Sequence, residues 1–244
     1  MKVIVFYSLF FLYSFTGFAQ DSTVKSMFKK ANSIFSSGKK SNNLSSEEVV
    51  SGLKEALSVG VKNSTNKLSA ADGFFKDAAV KILMPPEAMK VENKLRALGF
   101  GNLVDNAILS MNRAAEDASK SAAPIFLDAI KRMTIQDAFN ILKGSDTAAT
   151  GYLRNTTTSP LMAAFRPIVD QSLGKVDATK YWKDLFTAYN RVSFNKVNPD
   201  LNAYVAGKAL DGIFYYVGQE EKKIRKDPAA RVTDIMKKVF AAAR

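Results

Sequence analysis

The sequence predicts an all-α fold: a single multi-helix bundle of about nine or ten helices behind a cleaved signal peptide. Three observations predict it. Apolar residues recur at helical spacing almost throughout from Leu44 onward. Helix starts and stops are written in cap residues, prolines and glycines at the offsets those roles need. No run of alternating apolar and polar residues bounded by hairpin turns occurs. No repeat of fixed period is present, so a solenoid is not expected.

In chain order, Met1-Lys2 opens an uncharged apolar run from Val3 to Tyr13, and the following stretch turns smaller toward Gly17 and Ala19. One positive residue, a short apolar core and small residues before a cut at Gln20 describe a secretory signal peptide over residues 1–19. The run is short for a bilayer span and no basic stop-transfer cluster follows at once, which favours cleavage over a retained anchor. Residues 20–43 form a polar, Lys/Ser-rich basic arm, expected to be flexible. The helical domain then spans residues 44–244. Ser45 with Glu48 three residues on is a capping box, opening a helix whose face is Val49, Leu53, Ala56, Leu57 and Gly60. A short helix is expected from Asp72 to Leu83, ended by Pro85-Pro86, the second proline suiting the first turn of a helix that runs to Leu98 and stops at Gly99. Asn102 starts a longer helix that Pro124 kinks or restarts. Thr134 and Asp137 open the next, which Gly144 closes. Further helices fit Asp146–Asn155, Pro160–Leu173, Asp177–Val192, Asp200–Arg225 and Pro228–Ala243. Asp227 before Pro228 is an N-cap followed by a first-position proline.

Composition excludes whole chemistries. The 244 residues include neither cysteine nor histidine. There can be no disulfide, thiolate nucleophile or thiolate metal site, and no imidazole base or His-ligated metal. No Gly-rich phosphate loop, Ser-centred elbow or EF-hand loop is present. No cofactor and no metal is expected. Apolar residues at 47% and charged residues at 24% are globular proportions rather than those of a disordered chain. The net charge is +12, falling to +11 once Lys2 leaves with the signal. Apart from that signal nothing reads as a membrane span.

Three constellations could carry function. Asp146, Thr150 and Arg154 are spaced i, i+4, i+8 beside the apolar line of Ala149 and Leu153, with Tyr152 nearby. Such a row could hold an anionic or hydroxyl-bearing ligand, although a helix stitching a bundle together is its commoner origin. In the helix from Asp200, the residues Ala209 to Val217 are apolar nearly all round, marking it as the enclosed central helix. Glu220 shares a side with Ala209, Ile213 and Ile224, and a carboxylate drawn toward a core must find a cation or become protonated. Arg154, Arg166 and Arg225 are its candidate partners, and Glu220 is the one weak candidate for a catalytic acid. A buried ion pair that fixes helix register is the more frequent use of such a residue. Finally, eight Lys/Arg between residues 219 and 244, with the basic arm, could face an anionic partner. No recognition helix or aromatic stacking motif points to specific nucleic-acid binding.

Three stretches carry a family resemblance: Ile141-Leu142-Lys143-Gly144-Ser145-Asp146-Thr147-Ala148-Ala149-Thr150-Gly151-Tyr152-Leu153-Arg154, then Lys208-Ala209-Leu210-Asp211-Gly212-Ile213-Phe214, then Glu220 to Pro228. Over roughly Leu44 to Phe240 the chain resembles a bacterial exported family, domain of unknown function 4197. That resemblance implies a helical domain behind a signal peptide in Gram-negative envelopes, with no established activity and no catalytic residues to carry over. Its motif positions Asp146, Thr150, Tyr152, Arg154, Asp211, Glu220 and Arg225 overlap the physically chosen set. The expectation is therefore a non-enzymatic binding or interaction module of the periplasm or cell envelope. Its partner would be an anionic envelope component (lipid, lipopolysaccharide or cell-wall polymer) or a protein. The alternatives are a Glu-dependent hydrolase or lyase acting on a cell-wall glycan, and a structural assembly subunit.

Overall fold

A computed structural model describes residues 44–175, 182, 183, 190 and 200–242. The expected signal peptide, the basic arm and most of the helix over Asp177–Val192 lie outside the described residues. Within them the chain is helical and contains no strand. Eight α-helices are described: α1 (Ser46–Ser69), α2 (Met89–Ala97), α3 (Gly101–Ser119), α4 (Ala122–Arg132), α5 (Ile135–Lys143), α6 (Ala148–Gly174), α7 (Leu201–Lys226) and α8 (Asp234–Ala242). Single 3-10 turns at Pro86–Ala88 and Pro228–Ala230 precede α2 and α8.

Local chemistry sets the ends of these helices. The Ser45 hydroxyl accepts from the Glu48 N–H at 3.1 Å while the Glu48 carboxylate accepts from the Ser45 N–H at 2.8 Å. Thr134 and Asp137 repeat that box at the start of α5. The Asp200 carboxylate accepts from the Ala203 N–H at 2.9 Å to open α7. Between α3 and α4 the chain breaks at Lys120-Ser121, so Pro124 sits in the first turn of a new helix, where its missing N–H costs no ladder bond.

Helix α7 is the axis of the bundle. It packs on α1, α3 and α6 and buries Ala209, Leu210, Ile213, Phe214 and Val217. The Phe214 ring meets Phe126 of α4 edge-on at 5.7 Å between centroids, an arrangement that adds specific geometry to simple burial. Two glycines permit the closest approaches. A Cβ at Gly212 would lie 2.6 Å from Cε1 of the fully buried Phe74, and one at Gly52 would lie 2.7 Å from Cγ2 of Val239.

Three expected elements are corrected. Residues 72–83 are not a helix but a succession of turns. Asp72 takes a left-handed φ of 68°, and the backbone finds partners outside the segment. The Asn112 amide accepts from the Ile82 N–H and donates to the Ile82 carbonyl, both at 2.8 Å. The Glu116 carboxylate accepts from the N–H groups of Phe74 at 3.1 Å and Phe75 at 3.2 Å. Second, the helices expected over Asp146–Asn155 and Pro160–Leu173 are one continuous helix, α6, with Pro160 and Pro167 inside it. Its buried stripe of Leu153, Leu161, Phe165, Val169 and Leu173 runs past both prolines. Each such side chain contributes about 1.5–3 kcal/mol of burial, against a cost of about 3 kcal/mol per interior proline. Packing therefore keeps the helix whole. Third, Asp227 caps only a 3-10 turn, and the final helix starts at Asp234, because Arg231 turns back to bond the Ile224 and Arg225 carbonyls at 3.0 Å each. Eight α-helices are described where about nine or ten were expected, and most of the one expected over Asp177–Val192 lies outside the described residues.

Replacing Asn112 by Leu leaves the Ile82 N–H and C=O buried without partners, at about 1–3 kcal/mol each. Urea unfolding of Asn112→Leu is expected to show a loss of about 2–6 kcal/mol. Tyr204 donates its hydroxyl to the Leu83 carbonyl at 2.8 Å, and burial, helped by the negative charge of Glu87, pushes its pKa up to about 12. The folded chain therefore keeps that proton where the unfolded chain has lost it. Tyr204's contribution to stability is complete below pH 10 and is lost between pH 10 and about 12. Ultraviolet titration is expected to show a late phenol transition that Tyr204→Phe removes.

Candidate functional site

A dense polar cluster joins the end of α5, the start of α6 and the last turns of α7. The first N–H groups of any α-helix lack partners within it. Thr147, the residue before α6, supplies no side-chain cap. Its place is taken from across the bundle by Glu221 of α7. One Glu221 oxygen accepts from the Ala149 N–H at 3.0 Å, the other from the Thr150 N–H and hydroxyl at 2.8 Å each. Arg225, one turn further along α7, clasps the first oxygen through Nε at 3.0 Å and Nη2 at 2.9 Å. The same guanidinium donates to the Ile141 carbonyl at 2.8 Å and the Leu142 carbonyl at 3.4 Å, at the C-terminus of α5. A negative group thus meets the positive end of one helix dipole and a positive group the negative end of another.

The Glu221 side chain is only 5% exposed and Arg225 only 12%. Five hydrogen bonds exhaust the roughly four acceptor positions of a carboxylate, so Glu221 has none left for a ligand. A cavity of about 20 Å³ beside it, lined by Leu57, Val61, Val217 and Ile224 among others, has room for one water molecule.

The sequence-selected residues fall around this cluster rather than within one pocket. Thr150 and Arg225 belong to it. Glu220 does not: it lies half-exposed and accepts from the Asn63 amide at 2.8 Å. The carboxylate drawn into the core is its neighbour Glu221, so the expected pairing of Glu220 with Arg154, Arg166 or Arg225 is corrected by one position. Glu221 lies one turn from Val217 and Ile224 and faces inward with them. Asp146 precedes α6 at the surface and pairs with Lys226 at 2.9 Å, a hydrogen bond that holds its carboxyl below the ordinary range. Arg154 lies exposed with its guanidinium 4.4 Å over the Phe214 ring and 3.6 Å from exposed Asp211. Arg166 pairs with Asp200 at 2.7 Å, beside the start of α7. Tyr152 lines an open groove of about 500 Å³ between α4 and α6, with Pro124, Ile125 and Pro160; burial first, then the charge of Asp137, raises its pKa.

Two further clusters escaped the sequence reading. Glu116 is buried and, besides the Phe74 and Phe75 amides, accepts from Arg113, which reaches Asp72 with its other arm at 2.7 Å. Asn112 and Glu116 stand four apart on the face of α3 that carries Ile108 and Ala115, and polar residues at core spacing were the available signal. The other cluster is Asp77, which accepts from the Tyr216 hydroxyl and pairs with Lys67 at 3.0 Å, while Lys67 lies 4.1 Å over the Tyr216 ring. Burial disfavours the Asp77 carboxylate, but hydrogen bonds from Tyr216, Lys67 and the Ala79 N–H outweigh it and hold its pKa down. Among the described residues no group of three or more acidic side chains is placed to hold a metal ion.

Fold and clusters together define an all-helical domain in which buried charged side chains close the ends of helices supplied by distant segments. The chain belongs to the family described as protein of unknown function DUF4197, whose model matches residues 43–241. No curated protein and no solved structure matches the chain.

Removing the charge at Glu221 leaves Arg225 buried without its anion, and breaking one side of a buried pair costs about 3–5 kcal/mol. Glu221→Gln is expected to lose about 3 kcal/mol in chemical denaturation. Glu220→Gln, at the surface, is expected to stay within about 0.5 kcal/mol of the parent.

Proposed function

We propose that this chain is an exported, non-enzymatic helical module of the bacterial cell envelope that acts by binding, with the α2–α3 hairpin as its contact surface. One observation carries the reading. At the tip of this hairpin Leu98, Phe100 and Leu103 are 62%, 54% and 59% exposed, although each is large and apolar. Helix α2 buries no residue fully and packs chiefly on α3 through half-buried Val91 and Leu95. A helix that contributes so little to the core, joined to α3 by a turn that presents exposed large apolar side chains, is built for contact with something else.

The buried polar side chains give this reading further support. Glu221, Glu116 and Asn112 are consumed by backbone groups, which fits structural capping better than turnover. The groove between α4 and α6 is not lined by Glu220, the residue that the glycan-cleaving alternative needs.

Export and attachment are tested together by expressing the full chain in a Gram-negative host and fractionating it. The expected result is loss of the first 19 residues and recovery of the mature chain with the envelope. Phe100→Asp combined with Leu103→Asp is expected to release it to the soluble fraction with an unchanged thermal melt. A parent chain that is already fully soluble, or a variant that stays with the envelope, overturns the reading.

A further inference from the structure

We infer that the partner of the hairpin tip is the surface of an anionic lipid bilayer, with Leu98, Phe100 and Leu103 entering the boundary between headgroups and acyl chains. The inference rests on the reading of the hairpin as a contact surface and names what it contacts.

Size is the first argument. Three side chains exposed to this degree offer roughly 300 Å² of apolar surface. A stable protein–protein interface buries about 800 Å² on each partner. The tip is too small to hold a second copy of the chain or another folded protein by itself, whereas interfacial membrane binding needs only a few apolar groups set among cations.

Charge is the second. At 100° per residue, Lys90 and Lys94 lie along one flank of α2, and Leu98 continues that row to the tip. Both lysines are exposed and neither has an ion-pair partner among the described residues. The opposite flank has no available cation, because Arg96 bonds both Glu92 at 2.9 Å and Asp105 at 2.8 Å, which leaves that group one charge negative. The hairpin is therefore asymmetric, with two available ammonium groups leading to an apolar end. Long lysine side chains can reach phosphate while their stems lie along apolar surface. The net positive charge, +12 on the whole chain and +11 without Lys2, favours approach to an anionic surface.

The third argument is the state of the backbone. Entry into a region of low water content is costly for unpaired peptide groups. At the tip the N–H groups of Leu98, Gly99, Phe100 and Leu103 are already bonded, to the carbonyls of Lys94, Arg96, Leu95 and Phe100. Gly99, at φ +87°, makes the reversal and adds no side chain of its own. The tip enters with its apolar groups outward and these amides satisfied. Among the described residues no helix is long and apolar enough to cross a membrane.

The test uses the mature full chain and sedimentation with vesicles of phosphatidylcholine alone or mixed with phosphatidylglycerol. Binding is expected to the mixed vesicles and to be weak on phosphatidylcholine alone. Leu98→Asp with Phe100→Asp is expected to weaken binding by about tenfold or more. Lys90→Gln with Lys94→Gln is expected to weaken it severalfold at moderate salt, and Lys222→Gln with Lys223→Gln to leave it within about twofold. All these positions are at or near the surface, and circular dichroism confirms that each variant is folded. Absence of binding to mixed vesicles, or unchanged binding by the Leu98/Phe100 variant, overturns the inference. If vesicles fail while attachment in cells still depends on Phe100 and Leu103, the contact-surface reading stands and the lipid partner falls. Self-association abolished by the same substitutions would assign the tip to a second copy instead.

Discussion

The carboxylate of Glu221 closes the first turn of α6 from a position 72 residues further along the chain. Much of the bundle depends on that contact. Helix α6 carries two interior prolines and a triplet of threonines, Thr156 to Thr158, whose hydroxyls bond back to carbonyls on their own helix. Neither feature favours helix on intrinsic grounds. What α6 lacks in propensity is supplied by its buried stripe and by a cap borrowed from α7. Arg225 extends the arrangement to the end of α5, so two helix ends that flank one short loop are held by adjacent turns of a single central helix.

The same solution appears at the other side of the bundle. Asn112 and Glu116 of α3 serve the backbone of residues 74–82, which is thereby freed from forming a helix. In each case side-chain oxygens or nitrogens replace the missing main-chain partner, as the low dielectric of the interior requires. A chain without cysteine has no covalent cross-link across such distances. Here the long-range ties are hydrogen bonds and ion pairs, and the one from Tyr216 to Asp77 spans 139 residues.

How much of this was legible in the sequence follows from the range of the forces involved. Capping boxes at Ser45 and Thr134, the start of a helix at Asp200 and the enclosed character of α7 are local patterns, and all appear as read. The turns over residues 72–83 were not legible, because their apolar spacing fits a helix and their true partners lie 30 to 42 residues away. Continuity through Pro160 and Pro167 depends on tertiary burial, which a proline in isolation does not announce. Glu220 and Glu221 are separated by 100° on the helix, and both lie near enough to the apolar face that periodicity alone did not choose between them. Leu98, Phe100 and Leu103 look like core residues in a linear sequence. Only packing shows that they point outward.

The trans caps also bear on how the molecule opens. Helix ends ordinarily unravel alone, at little cost, and their amides exchange with solvent early. The Ala149 and Thr150 amides are held by α7, and those of Phe74 and Ile82 by α3. None of these four can be released without parting two elements of tertiary structure. Positions that sit at local ends of the chain's geometry therefore behave as interior ones, and fraying is converted into a cooperative event of the whole bundle.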